Sequence, residues 1–163
     1  MNIVLVEPEI PPNTGNVARL CAATGSVLHL VEPLGFSMDD RRMQRAGMDY
    51  WRWVTWHRWR DWEAFFRSVP EGARLWLVEQ GGSSGYSEVR YHPDDYLVFG
   101  RETSGLPRGL LERHRDTWVH LPMPNPEARS LNLSNCVAIV LYEALRQQGF
   151  PKRETNGPTP VGR

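Results

Sequence analysis

Three short stretches of this 163-residue chain carry side chains that can do chemistry: Asn13-Thr14-Gly15-Asn16-Val17-Ala18-Arg19, Phe99-Gly100-Arg101-Glu102-Thr103-Ser104-Gly105-Leu106-Pro107 and Ser130-Leu131-Asn132-Leu133-Ser134-Asn135. Each sets glycine, amide or hydroxyl groups beside an apolar segment. That is the composition of a pocket lined by main chain, where glycine allows close approach and amides and hydroxyls pair with a polar ligand. A helix opening at about Asn132 would turn its first amides, with the hydroxyls of Ser130 and Ser134, toward a carboxylate or phosphate. For any one stretch alone, a helix cap followed by a turn explains the same residues.

The elements that must position these stretches read as alternating strands and helices. Asn2 to Val6 is an apolar run before Glu7-Pro8, a buried strand opening into a loop. Pro11 and Pro12 are expected to stop the chain there, and Asn13 to cap a helix with Val17, Leu20 and Cys21 on one face. Val27 to Val31 returns as a strand, which gives a β-α-β opening with a right-handed crossover. Arg74 to Val78, Tyr96 to Phe99 and Val119 to Leu121 read as further strands. A helix follows Pro107 as far as about His114. The last helix, from about Asn132 to Gln147, carries Leu133, Val137, Val140, Leu141, Ala144 and Leu145 as one apolar stripe. Parallel α/β proteins bind ligands beyond the carboxyl ends of their strands, and the ends near Val78, at Gly100 and at Leu121 run into loops of suitable composition. Pro122 to Pro126 is a stiff loop whose main chain can line a flat ligand.

Other features exclude or leave matters open. No apolar run approaches the ~20 residues of a membrane span, and no basic-then-apolar leader opens the chain, so a soluble cytoplasmic protein is expected. Cys21 and Cys136 fall inside expected helices without paired spacing, and the histidines lack ligand-like spacing; neither a disulfide framework nor a metal site is expected. Gly81-Gly82-Ser83-Ser84-Gly85 matches a nucleophile elbow, but Tyr86 to Tyr91 reads as extended where that motif needs a helix. Net charge is zero, yet residues 41 to 60 hold six arginines against one acid, Asp49. Ser37 and Asp40 resemble a capping box for a short basic helix from Met38 to Ala46. Arginine outnumbers lysine eighteen to one, through phosphate recognition by planar forks or through codon bias. Trp51 and Trp53 alternate as in a strand, whereas Trp59, Trp62, Phe65 and Phe66 fit a helix face; this aromatic cluster serves core packing or base stacking.

Val4-Leu5-Val6-Glu7-Pro8-Glu9-Ile10-Pro11-Pro12-Asn13-Thr14-Gly15-Asn16, the Phe99 to Pro107 stretch and Arg129-Ser130-Leu131-Asn132-Leu133-Ser134-Asn135 resemble, in order and spacing, the SPOUT class of RNA methyltransferases. Within that class the chain is similar to the TrmL (YibK) family of tRNA 2′-O-methyltransferases over nearly all of residues 2 to 150. The resemblance implies an α/β fold with a parallel sheet flanked by helices and a C-terminal deep trefoil knot, for which periodicity gives no warrant. It implies one domain over residues 1–150; residues 151–163, with little to bury, are expected to be disordered. It implies S-adenosyl-L-methionine as cofactor without a metal, a homodimer, and methylation of the wobble nucleotide 34 of leucine tRNAs. Carried over residue by residue, Val78, Gly100, Leu121, Met123, Ser130 and Leu131 would line the cofactor pocket, with Glu102 and Asn135 at polar motif positions. Arg19 would act at the ribose hydroxyl or its phosphate, supported by Asn13. From the basic stretch rather than from the motifs, Arg41, Arg42 and Arg45 are expected either to contact RNA phosphates or to form a solvated helix face. The loop from Pro122 to Arg129 is one residue longer than the family form. A methyltransferase acting on ribosomal RNA or another tRNA position, and a non-catalytic RNA-binding dimer, remain as alternatives.

Overall fold

Period-two burial organises the sheet. The computed structural model describes residues 1–38, 50–125 and 127–151. Among them seven strands join in one sheet: β1 (Asn2–Val6), β2 (Val27–Val31), β3 (Trp56–Trp59), β4 (Leu75–Val78), β5 (Ser84–Gly85), β6 (Tyr96–Phe99) and β7 (Trp118–His120), in the order β3-β2-β1-β6-β4-β7-β5. All pairings between these strands are parallel, with Val4 of β1 in register with His29 on one side and Val98 on the other. Because successive residues of a strand point to opposite faces, Ile3 and Leu5 enter one core and Val4 and Val6 the other.

Helices cover both faces. The first core packs Ile3, Leu5, Leu28, Leu97 and Phe99 against Val17, Ala18 and Cys21 of α1 (Pro11–Thr24). The same core takes Val137, Val140, Leu141 and Ala144 from the last helix (Leu133–Gln147). The second core packs Val4, Val98 and Leu77 against Phe65 of α2 (Trp62–Phe66) and Leu110 and Leu111 of α3 (Arg108–Arg113). The last helix is α4. Large side chains buried on both faces explain why these strands read as continuous apolar runs rather than as alternating ones.

The expected elements sit where they were read, with three differences. Pro11 and Pro12 start α1 rather than stopping the chain: Ile10 is its N-cap and the prolines fill the first helical positions, where no N–H is needed. Asn13 is therefore inside the first turn, not a cap. Trp51 lies in a helical turn and Trp53 in the turn that follows it; the strand forms from Trp56, and Trp59 belongs to it rather than to the α2 face. Ser84 and Gly85 pair as the short β5 and Tyr86 to Glu88 form a turn. Ser83 is thus followed by a strand and a turn rather than by the helix the motif needs, and the extension expected from Tyr86 is a turn at its start. The aromatic cluster is chiefly packing: Trp51 meets Trp56 edge-on, Trp62 packs on Phe65, and Trp59 donates its indole N–H to His29 Nδ1 at 3.1 Å. Trp53, 53% exposed, stands out with the Arg52 guanidinium 5.2 Å from its ring. The basic helix expected over Met38 to Ala46 and the tail beyond Pro151 lie outside the described residues.

Candidate active site

The carboxyl ends of the adjacent strands β6, β4 and β7 open into a cavity of about 490 Å³. Its wall is built from Phe99–Gly105 after β6, Val78–Gln80 after β4, Leu121 and Met123 after β7, and Arg129–Leu133 leading into α4, with Ile10 and Asn13 closing one side. A pocket of this size suits a nucleoside-sized ligand. Gly100 is required: a Cβ there would collide with the backbone of Gly105 and Leu106. The loop it serves is tight, closed by reciprocal bonds of Arg101 N–H to Gly105 O (3.2 Å) and Gly105 N–H to Arg101 O (3.0 Å).

Side chains from three distant stretches lock this loop in place. Glu102 accepts from the backbone N–H groups of Glu9 (2.8 Å) and Ile10 (3.2 Å) and from Asn13 Nδ2 (3.0 Å). Its carboxylate thus occupies the positive end of α1, whose prolines cannot offer N–H groups of their own. Glu9 returns the contact, accepting from Thr103 N–H (3.1 Å) and Oγ1 (2.7 Å), and Arg101 pairs with Glu7. Glu7 adopts φ 53°, a left-handed backbone just after β1. Asn13 Oδ1 in turn accepts from Asn132 Nδ2 at 2.9 Å, and Asn132 Oδ1 caps α4 by accepting from Ser134 N–H (2.9 Å) and Oγ (2.7 Å).

Of the expected site residues, Val78, Gly100, Glu102, Leu121, Met123, Ser130, Leu131 and Asn13 all line the cavity. Asn135 and Arg19 do not. Asn135 is exposed on α4, and Arg19 is exposed on α1 with its guanidinium 4.8 Å from the Tyr50 ring. Arg19 lies six positions beyond Asn13, which on a helix is about 9 Å further along the axis and on a different face. The hydroxyl of Ser134 is engaged in the cap rather than aimed at a ligand. Arg41, Arg42 and Arg45 lie outside the described residues. Sequence reading missed Glu9, Thr103 and Glu79, whose partners are far off in the chain. Asn132 was read as a helix start, but its tie to Asn13 was not. Cys136, also in the wall, is held above the usual thiol range by burial, with the charge of Glu79 adding to it. Among the described residues no group of three His, Cys, Asp or Glu is placed to hold a metal, and no helix is long and apolar enough to cross a membrane.

Fold and cavity together define a parallel α/β protein of the SPOUT class, with the ligand cavity assembled from loops at adjacent strand ends. The model of the SpoU rRNA Methylase family matches residues 1–142, and the chain belongs to that family. It is 54% identical over 151 residues to the tRNA (cytidine(34)-2′-O)-methyltransferase of Burkholderia cenocepacia strain HI2424, covering 91% of this chain and 96% of that protein. A solved structure described as giving insight into the 2-OH methylation of C/U34 on tRNA superposes with a TM-score of 0.87 at 43% identity, covering 91% of this chain and 95% of the other. The AdoMet-bound rRNA methyltransferase of Sinorhizobium meliloti superposes at 0.79 with 26% identity, over 89% of this chain and 55% of that one.

Proposed function

We propose that the protein methylates the ribose 2′-hydroxyl of nucleotide 34 in tRNA, leucine isoacceptors in particular, with S-adenosylmethionine as methyl donor. The observation that carries this reading is the convergence of the three chemical stretches on one cavity through Glu102, Asn13 and Asn132. The likeness to a tRNA (cytidine(34)-2′-O)-methyltransferase over most of both chains supports the choice of nucleotide. We take residues 1–150 as the single catalytic domain and the cytoplasm as its compartment. The threaded C-terminal knot belongs to the same reading, supported by β4 lying between β6 and β7, out of chain order.

The cavity fits the cofactor. Val78, Leu121 and Leu133 give it apolar walls, and Gly100 lets the lining loop close against the backbone of Gly105 and Leu106. Val78, Gly100, Leu121, Met123, Ser130 and Leu131 would hold it, largely through backbone groups, while Glu102 fixes the loop around it. When bound, S-adenosylmethionine supplies a methyl group on a positively charged sulfur. The chain must then hold a 2′-oxygen in line and favour loss of its proton, since a protonated hydroxyl is a poor nucleophile.

Arg19 is the residue for that task. A guanidinium is a weak base, so its N–H donors serve by stabilising negative charge on the 2′-oxygen and anchoring the adjacent phosphate. Its place outside the cavity of its own chain is explained if a second copy supplies it. α1 and α4 pack side by side, and α4 turns Ile139 (38% exposed) and Tyr142 (49% exposed) outward, an apolar surface suited to a partner copy. Arg41, Arg42 and Arg45 complete the proposal as phosphate contacts.

The test is methyl transfer from labelled S-adenosylmethionine to tRNA from cells lacking this protein, followed by mapping of the label. Label on the 2′-oxygen of nucleotide 34 in leucine tRNA is expected. Label at another nucleotide overturns the substrate, and absence of label on fully modified and unmodified tRNA alike overturns the activity.

A further inference from the structure

Glu79 is a carboxylate in the cavity wall that the preceding reading leaves without a task. It follows β4 directly, and its main chain is fixed on both sides: its N–H donates to Val119 O at 3.0 Å, and its carbonyl accepts from Trp118 Nε1 at 3.0 Å. The side chain is held as firmly. Oε2 accepts from Leu106 N–H at 3.1 Å and Oε1 from Gln80 N–H at 2.9 Å. A Cβ on Gly105 would collide with this carboxylate, so it lies flush against the loop that Gly100 admits.

An ionised carboxylate has about four acceptor positions and no donor. Two are used here, and among the described residues no arginine, lysine or histidine pairs with Glu79. A half-buried carboxylate with acceptors to spare and no cation beside it calls for a ligand that donates. Its charge is felt inside the cavity, where it adds to the effect of burial in holding up the thiol of Cys136.

We propose that Glu79 recognises the ribose of the nucleoside ligand, its free acceptor positions taking hydrogen bonds from the vicinal 2′- and 3′-hydroxyls. Few groups of a nucleoside offer two donors side by side, and an acid beyond a strand's carboxyl end is the chemistry by which other α/β sites hold a ribose hydroxyl. The neighbouring walls of Val78, Leu121 and Leu133 suit the base rather than the sugar. Hydrogen bonds to a charged group discriminate strongly against an analogue that lacks the donor. This assignment rests on the reading of the cavity as a cofactor site. Glu79 thereby becomes a specificity-determining residue for the cofactor rather than for the RNA.

The experiment is calorimetric titration of the full chain, without RNA, using S-adenosylhomocysteine and its 2′-deoxy and 3′-deoxy forms. Wild type is expected to lose about 10- to 100-fold in affinity on removal of a hydroxyl. Glu79→Gln keeps an acceptor for Leu106 N–H. It is expected to bind the parent compound more weakly and to separate it from the deoxy forms at least about fivefold less than wild type does. Glu79→Ala should remove the discrimination altogether, with thermal unfolding of both variants recorded as a check on folding. Equal discrimination by wild type and Glu79→Gln overturns the proposal, as does a wild type that does not distinguish the three ligands. A parallel titration with S-adenosylmethionine in which Glu79→Gln weakens that ligand and leaves S-adenosylhomocysteine unaffected assigns Glu79 to the sulfonium charge and also overturns it. Failure of wild type to bind S-adenosylhomocysteine at all sinks the cofactor reading itself.

Discussion

Asn13 and Asn132, 119 positions apart, share a hydrogen bond of 2.9 Å from Asn132 Nδ2 to Asn13 Oδ1. Both amides are oriented by their other partners: Asn13 Nδ2 must face the Glu102 carboxylate, and Asn132 Oδ1 must face the Ser134 N–H. The bond therefore joins the first turn of α1 to the start of α4 and, through Glu102, to the loop after β6. Hydrogen-bonded chains of this kind fix a single arrangement because every member has its direction set by the next.

Asn132→Ala removes both the cap and the tie, and is expected to lower stability by about 1 kcal/mol and to weaken S-adenosylhomocysteine binding. Asn132→Asp separates the two effects. Its carboxylate still caps Ser134, but sets one acceptor against another at Asn13. Stability near wild type with affinity about tenfold down, read by urea unfolding and calorimetry, is the expected result; wild-type affinity in Asn132→Asp would make the tie dispensable.

The elements were legible because their signals are local. Strands β1, β2 and β6 have the bounds their apolar runs gave, and α4 runs from its Asn132 cap as far as the Leu133 to Leu145 stripe required. Pro11-Pro12 misled because proline ends a helix and begins one equally well, and only the chain before it decides. The cavity's composition was legible for the same reason, while its clamps were not. Glu9 meets Thr103 across 94 positions and Glu79 meets Leu106 across 27, and such pairings carry no local period. Arg19 shows the opposite case: the resemblance singles it out, but only the fold places it outside its own chain's cavity.

That placement makes a mixing experiment decisive. Arg19→Ala is expected to bind S-adenosylhomocysteine like wild type while losing about 100-fold or more in methyl transfer. Met123→Trp should fill the cavity and be inactive with Arg19 intact. If the arginine acts across a dimer, a statistical mixture of the two variants regains about a quarter of wild-type activity. An inactive mixture, after exchange of subunits has been verified, places Arg19 in its own chain's reaction. Activity near wild type in Arg19→Lys would argue against a role for the planar fork.

His29 gives the fold an acid limit. It is buried between β1 and β3, with His57 stacked 5.2 Å away and Trp59 donating to its Nδ1. Burial, with the His57 ring adding, holds its pKa down to about 3 against the usual 6.5. The folded chain keeps it neutral while the unfolded chain protonates it below about 6.5, so stability falls as pH falls through that value and goes on falling toward 3. From pH 7.5 to pH 5 this one group should cost about 2 kcal/mol. His29→Gln, which keeps an acceptor for Trp59, should flatten that part of the urea-derived pH profile; an unchanged slope would assign the acid loss elsewhere.

Asp95 sits at the end of the strands opposite to the cavity, beside the amino ends of β1, β4 and β6. Buried at 3% exposure, it accepts from Arg74 Nη2 (2.9 Å), Trp76 Nε1 (2.7 Å) and His92 N–H (2.9 Å), and its carbonyl receives Asn2 N–H (3.1 Å). Asp95→Ala leaves the indole N–H and a backbone N–H buried without an acceptor, while Arg74 can still turn to water. A loss of about 3 kcal/mol is expected from those two groups and the lost charge pairing. Because the network shares no residue with the Glu102–Asn13–Asn132 chain, S-adenosylhomocysteine affinity measured below the new unfolding midpoint should stay within about twofold of wild type. A matching loss of affinity would mean that the two ends of the sheet respond as one unit, and that the cavity loops are set by the strands beneath them as much as by their own clamps.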